Sequence, residues 1–212
     1  GFDLQKFQNN YELNRKKIRL KYDLDEEYIA ICITGRLAPV KDHFFFLDVI
    51  DDLAVQTSKK IKIFIVGDGE LRDDIKLRVK VLQEKGIDIL MTSWILDIAE
   101  FNAGMDIMCL TSKNEGTPVS LIEAQASNLP VISTDVGGVA DIVLENETGF
   151  IISRKDKRAF VEKLKYLVEN DVERIEMKNK GWEHVHIKFS YKRLATDMAV
   201  SYTHLRAHET LM

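Results

Sequence analysis

Short apolar runs alternate along this chain with longer stretches in which apolar residues recur every three or four positions. The runs at 28–34, 61–66, 87–91, 106–111, 130–133 and 149–152 are nearly continuous in apolar side chains, as expected of strands covered on both faces. Between them, 43–57, 70–85, 96–103, 118–127 and 139–144 carry helical spacing. This alternation predicts right-handed βαβ crossovers and a parallel, doubly wound α/β sheet of about six strands. Ligands of such sheets bind beyond the carboxyl ends of the strands. The loops starting at Gly35, Gly67, Ser93, Ser112 and Thr134 are therefore where chemistry is expected. After Ile152 the pattern becomes helical and highly charged, from Lys155 to about Met198.

The 212 residues, 45% hydrophobic and 30% charged, suffice for one sizeable core with short appendages. A formal net charge of -4 argues against a general nucleic-acid binder. Cys32 and Cys109 each sit inside a strand-like apolar run and read as buried thiols rather than disulfide partners or metal ligands. That favours a reducing, cytoplasmic setting. No apolar run approaches the roughly 18 residues of a membrane span. The chain opens at Gly1 without a methionine, so an upstream segment is expected. Residues 199–212 continue no apolar stripe and read equally as a foreign tail or a frayed terminus.

Four loop motifs carry candidate chemistry. Gly35-Arg36-Leu37-Ala38-Pro39-Val40-Lys41 follows the first strand. Gly35 permits a tight turn, and an Arg fork with a Lys point charge suits a diphosphate; the plain alternative is two solvated surface cations. Gly67-Asp68-Gly69-Glu70-Leu71-Arg72 begins like a dinucleotide fingerprint, but Arg72 replaces the third glycine. It reads as a glycine turn into a helix N-terminus that faces a ligand. In Asn114-Glu115-Gly116-Thr117-Pro118-Val119-Ser120, Thr117 is the expected N-cap and Pro118 the first helical residue. Free amides over 116–120 and the helix dipole make an anion site. Glu115 and Glu123 on either side suit sugar hydroxyls, a solvated loop acid and a helix-surface acid being the plain alternative. Gly137-Gly138, after the fifth strand, allows backbone to approach a ligand or simply turns the chain.

Several features are set aside. Asp23-Leu24-Asp25 precedes the first strand, far from the strand-end crevice, and reads as a turn. His184 and His186 face different sides of a helix. Phe44, Phe45 and Phe46 read as core packing, and no Cys/His spacing suggests zinc.

Taken in order, Gly35-Arg36-Leu37 with Lys41, Val66-Gly67-Asp68-Gly69, Glu115-Gly116-Thr117-Pro118 with Glu123, and Gly137-Gly138 resemble the C-terminal domain of the family-4 group of GT-B glycosyltransferases. The resemblance spans about Gly1 to Met198, the opening Gly1-Phe2-Asp3-Leu4 with Phe7 resembling the segment that leads into this domain. It implies a lead-in segment and helix over 1–27, a Rossmann-like nucleotide-sugar-binding domain over 28–153, and a helical extension over 154–198. The extension is expected to leave the domain and reach toward an N-terminal, acceptor-holding domain upstream of Gly1.

The resemblance also implies roles. Arg36 and Lys41 would bind the donor diphosphate and offset leaving-group charge. Glu115 would contact the transferred sugar, and Glu123 the ribose. The backbone of Gly116, Thr117, Pro118 and Val119 would bind phosphate. The base would sit near Ser93, Trp94 and Ile95, with Gly35 and Gly67 shaping the turns beside it. Such enzymes retain anomeric configuration without a metal or cofactor; the donor substrate is a nucleoside-diphosphate sugar, by resemblance UDP-linked, with GDP as the rival. By the same resemblance, peripheral membrane association of the full-length enzyme would come through the acceptor-side half. Asp42 stands where the family often has glycine, and Asp141 where a glutamate often follows the glycine pair. The competing readings are a nucleotide-sugar epimerase of the same architecture, a non-catalytic nucleotide- or protein-binding module, and, more distantly, a NAD-dependent oxidoreductase.

Overall fold

A computed structural model of the chain describes residues 2–191. Six strands form one wholly parallel sheet: β1 (Tyr28–Thr34), β2 (Lys60–Val66), β3 (Asp88–Thr92), β4 (Ile107–Leu110), β5 (Val131–Thr134) and β6 (Gly149–Ile152). Their order is β3-β2-β1-β4-β5-β6, so the winding reverses between β1 and β4. The helices are α1 (Tyr11–Lys21), α2 (His43–Ala54), α3 (Arg72–Glu84), α4 (Ile98–Ala103), α5 (Val119–Ala126), α6 (Lys157–Glu169) and α7 (Asp171–Phe189).

The pleat of β1 shows why its run is continuous. Ile29, Ile31 and Ile33 join the core under α2, α3 and α6, while Ala30 and Cys32 face the opposite core under α1, α4 and α5. Each fully buried isoleucine contributes about 1.5–3 kcal/mol. Cys32 and Cys109 are both buried, and burial pushes both thiols up.

The elements differ from expectation at their ends. The helix expected over 43–57 stops at Ala54, because Leu53 is its last buried side chain and Val55 is exposed. The helix expected over 139–144 is instead a 3-10 turn, Gly137–Asp141. Gly137 takes a left-handed φ of 51° and Gly138 a non-helical geometry, so an α-helix cannot begin there. The turn at 23–25 is confirmed: Asp25 Oδ1 accepts the Glu27 amide at 2.8 Å.

The charged C-terminal stretch does not depart as expected. Phe160, Val161, Leu164, Leu167 and Val168 of α6 are buried at helical spacing, and Phe45 meets Phe160 edge to face with centroids 5.7 Å apart. Helix α7 buries Met177, Gly181 and Val185, with Gly181 against Gln125 of α5. It finishes beside the start of the chain, where the Phe2 amide donates to Phe189 O at 2.9 Å and the Tyr191 amide to Phe2 O at 3.1 Å. Up to Tyr191 the extension is part of this domain, because its apolar stripe has a face to bury. The expected tail at 199–212 lies outside the described residues. Asp156 caps α6, its Oδ1 accepting the Ala159 amide at 2.9 Å. Asp156→Ala is expected to cost about 1 kcal/mol in urea-unfolding stability.

At the amino ends of the strands, Asp106 ties α1 to the sheet. Its carboxylate accepts from Arg15 at 2.8 Å, from Arg19 at 3.0 Å and from the Ala30 amide at 2.9 Å. Only 7% of the Asp106 side chain is exposed. Burial works to raise its pKa, and is overcome by Arg15, the Ala30 amide and Arg19, which hold it below the usual carboxylate range.

Candidate functional site

The reversal between β1 and β4 opens a crevice at the carboxyl ends of the strands. The loop after β1 supplies Lys41 and the loop after β4 supplies Glu115. Lys41 Nζ meets Glu115 Oε1 at 2.5 Å, and Ser112 Oγ donates to the same oxygen at 2.5 Å. The side chains are 24% and 10% exposed, so the pair is screened from water but still reachable.

The surrounding loops are tied together by backbone. The Lys113 amide donates to Val40 O at 2.7 Å, and Thr111 Oγ1 donates to the carbonyls of Lys41 and Asp42 at 3.1 Å. Thr134 Oγ1, at the end of β5, donates to Ser112 O at 2.7 Å. Asp42 sits at φ 50°, ψ 49°, a left-handed conformation that glycine adopts freely and aspartate tolerates. That backbone demand accounts for the glycine expected at this position. His43, the first residue of α2, is fully buried, and neither ring nitrogen has a partner among the described residues. Burial, assisted by the Lys41 charge, lowers its pKa to about 4, so it is neutral beside the lysine.

The glycine pair serves a different purpose from the one expected. A side chain on Gly137 would lie 1.7 Å from Glu115 O, and one on Gly138 would lie 2.3 Å from Gly116 O. The Gly138 amide donates to Gly116 O at 3.0 Å. These glycines let the backbone approach the loop that presents Glu115, not a ligand directly. Gly67 works similarly: at φ 140°, its missing side chain makes room for Gly35 O, with Trp94 over it at 3.6 Å.

At the start of α5, Pro118 is the cap and Val119 the first helical residue. The cap expected at Thr117 is thus one residue late, since Pro118 is extended at ψ 92°, and no side chain bonds the helix end. Pro118 is buried and has no N–H to offer. The amides of Gly116, Thr117, Val119 and Ser120 have no acceptor among the described residues. They lie beside Glu115, where the helix dipole favours an anion.

Other expected residues are dispersed. Arg36 does not converge with Lys41; it is 69% exposed and pairs with Glu70 at 3.2 Å. Leu37 is locked inward by bonds to Asp68 O and from the Leu71 amide, which turns Arg36 toward the β2 loop. Glu123 is half-buried in the second turn of α5; burial raises its pKa, partly offset by Lys6. Trp94 is 56% exposed at the mouth, and Ile95 packs against the core. Asp68, passed over in the sequence, gathers the Gly69 amide at 2.8 Å, Ser93 Oγ at 3.1 Å and Arg72 at 3.3 Å. Its signal was an acid between two glycines at a strand end. Asp141 is exposed at the end of its 3-10 turn. Lys113 pairs with Asp42 at 3.5 Å.

Comparison with known proteins bears on this arrangement. The family model for glycosyl transferases group 1 matches residues 14–184. The UDP-Gal:alpha-D-GlcNAc-diphosphoundecaprenol alpha-1,3-galactosyltransferase of Escherichia coli is 30% identical over 183 residues, covering 84% of this chain and 46% of that protein. The capsular polysaccharide biosynthesis glycosyltransferase CapM of Staphylococcus aureus is 29% identical over 193 residues, covering 90% and 49%. Among solved structures, the C-terminal domain of the glycosyl transferase group 1 protein LpcC from Francisella tularensis has a TM-score of 0.76 at 23% identity, covering 90% of this chain and 100% of that one. Anabaena Alr3699/HepE in complex with UDP has a TM-score of 0.83 at 17% identity, covering 96% and 56%. At these identities the structures speak for the GT-B fold. The chain spans about half the length of the curated relatives it matches. Since the matched residues include every strand and the loops that join Lys41 to Glu115, the chain belongs to the glycosyl transferases group 1 family.

Proposed function

We propose that this chain is the nucleotide-sugar-binding half of a retaining hexosyltransferase, acting with an acceptor-binding N-terminal domain. The observation that carries this reading is the Lys41–Glu115 pair across the reversal of the sheet, beside the unpaired amides at the head of α5. The donor is a nucleoside-diphosphate sugar, UDP-linked in this reading. HepE, with the same fold, was crystallised with UDP.

Departure of a nucleoside diphosphate builds negative charge on the leaving oxygen. A lysine and preorganised amides aimed at that oxygen lower the barrier without reorganising. On donor binding Lys41 transfers its contact from Glu115 to the diphosphate, and Glu115 turns to the sugar hydroxyls. Arg36 would leave Glu70 to join Lys41. Glu123 holds the ribose, and the base lies by Trp94 and Ile95 over the Gly35–Gly67 contact. No helix among the described residues is long and apolar enough to cross a membrane. The Escherichia coli relative is named for a diphosphoundecaprenol-linked acceptor. The whole enzyme is accordingly proposed to work at a membrane surface through its acceptor half.

Calorimetry with UDP, GDP and ADP tests this. UDP should bind best, and Lys41→Ala should weaken it by about 1.5–3 kcal/mol. Arg36→Ala should cost less, its charge being screened by solvent. Glu123→Gln should weaken UDP itself. Glu115→Gln should spare UDP and reduce sugar transfer when an acceptor domain is supplied. Absence of binding to every nucleoside diphosphate would favour a non-catalytic, protein-binding module. Equal losses of UDP affinity at Glu115 and Glu123 would overturn the assigned roles.

A further inference from the structure

At the opposite end of the sheet, α1 and α7 frame a cavity of about 590 Å³. β1 separates it from the Lys41–Glu115 crevice by its seven-residue length, roughly 20 Å. The lining carries six cations, Arg15, Arg19, Lys59, Lys60, Arg174 and Lys178, against the carboxylates of Glu26, Glu27, Asp106 and Asp171. In a chain whose formal charge is -4, this wall has an excess of two positive charges. A second cavity of about 800 Å³ adjoins it, sharing Arg15 and Lys178.

Most of these charges are committed. Arg15 and Arg19 hold Asp106, Arg174 pairs with Asp171, and Lys60 meets Glu27 at 2.5 Å. The Arg15, Arg19 and Arg174 side chains are only 22%, 8% and 9% exposed. The exceptions are Lys59, which is exposed, and Lys178. Lys178 is the one of the two that is shielded from water. It is half-buried, and its ammonium has neither an ion pair nor a hydrogen bond among the described residues. Burial lowers its pKa, and Arg15, Arg174 and Arg19 push in the same direction against Asp106. The Nε–H of Arg19 is likewise buried without an acceptor. Buried and half-buried charges are ordinarily paired. The arginines also donate to backbone carbonyls, Arg15 to Ala103 O and Met105 O at 3.1 Å. Here positive charge exceeds negative around one cavity, and the Lys178 ammonium has no acceptor of its own among the described residues.

We propose that this cavity is a second anion site, which binds a phosphate group between Lys178 and Arg15. The phosphate is carried by a soluble ion or by a lipid headgroup. Phosphate fits because its several acceptor oxygens can take the lysine and a guanidinium edge together, and because charge-assisted bonds of this kind are the strong ones. The inference is independent of the donor reading, since it uses no residue of the strand-end crevice.

The test is calorimetric titration of the full chain with inorganic phosphate in a Lys41→Ala background, which removes the lysine of the other anion site. One site should be seen, and adding Lys178→Gln should weaken it about tenfold or more. Lys178→Gln alone should melt no lower than the parent without phosphate, because it relieves repulsion among cations. Lys178→Met, which keeps the apolar stem, is the substitute if the glutamine variant proves unstable. In a second arm, sedimentation with phosphatidylglycerol vesicles is compared with phosphatidylcholine vesicles. Lys178-dependent binding to the former assigns the phosphate to a lipid headgroup; phosphate binding without vesicle binding assigns it to a soluble ion. No phosphate site in the Lys41→Ala chain, or one indifferent to Lys178, would overturn the proposal.

Discussion

Asp106→Ala is expected to lower the unfolding free energy by about 3–5 kcal/mol, as when one partner of a buried ion pair is removed. The carboxylate is the shared acceptor of Arg15, Arg19 and the Ala30 amide. Arg19 and the Asp106 side chain are both under 10% exposed, so water cannot replace what is lost. Alanine would leave two guanidinium groups facing one another where α1 meets the sheet. Urea unfolding at pH 7 measures the effect, and a loss below about 1 kcal/mol would contradict it. The pH dependence has a definite sign. The folded carboxyl is held below its ordinary value, so its contribution is fully present above the unfolded-state pKa of about 3.9 and disappears as pH falls through the folded value. The gap between parent and variant should therefore close in acid, not in alkali.

The second large effect is expected at Gly137. A Cβ there would stand 1.7 Å from the Glu115 carbonyl oxygen, and the φ of 51° alone costs a non-glycine residue about 1–2 kcal/mol. The obstruction is backbone, so no rotamer relieves it. Gly137→Val must push the loop of Glu115 and Gly116 away, breaking the Gly138–Gly116 bond and displacing the Gly116 and Thr117 amides proposed to hold the phosphate. Nucleoside-diphosphate affinity should fall at least about tenfold, equivalent to about 1.4 kcal/mol, with the sheet still folded by circular dichroism. Gly116→Ala is the control for stability, because nothing lies within 4 Å of its Cβ position. It should change the melting temperature little. Unaltered affinity in Gly137→Val would show that the position of the Glu115 loop is unimportant for the nucleotide.

The sheet was legible because its strands are buried on both faces, a condition that writes itself as uninterrupted apolar runs. Tyr28–Thr34 and Gly149–Ile152 were delimited to the residue on that basis. Helix ends were less legible, since they depend on where tertiary burial stops, as at Leu53, or on a backbone conformation, as at Gly137. The convergence of Lys41 and Glu115 followed from topology: any parallel sheet that reverses between β1 and β4 brings those loops together. The pairing of Arg36 with Glu70 was not legible, for a local reason. The direction of Arg36 is set by what holds Leu37, two backbone bonds to the Asp68–Leu71 segment that no spacing rule encodes. The docking of the extension up to Tyr191 was not legible because charged surface positions masked a narrow apolar stripe, Met177, Gly181 and Val185, whose partner face on α5 is visible only in three dimensions. The cluster around Asp106 was invisible because its members come from α1, β1 and the start of β4, and ordinary surface residues have the same composition.

At the crevice mouth, Arg36, Lys41, Arg72 and Lys113 each stand against a carboxylate, Glu70, Glu115, Asp68 and Asp42. Beyond roughly 8 Å at physiological salt such couples are felt only as weak dipoles. An approaching anion is therefore neither drawn in nor repelled from afar, and the encounter proceeds at the unsteered rate, about 10⁵–10⁶ M⁻¹s⁻¹. Ionic strength should leave that rate nearly constant. Discrimination among anions then falls to the dissociation step, after the ligand has arrived and the internal couples have opened to receive it.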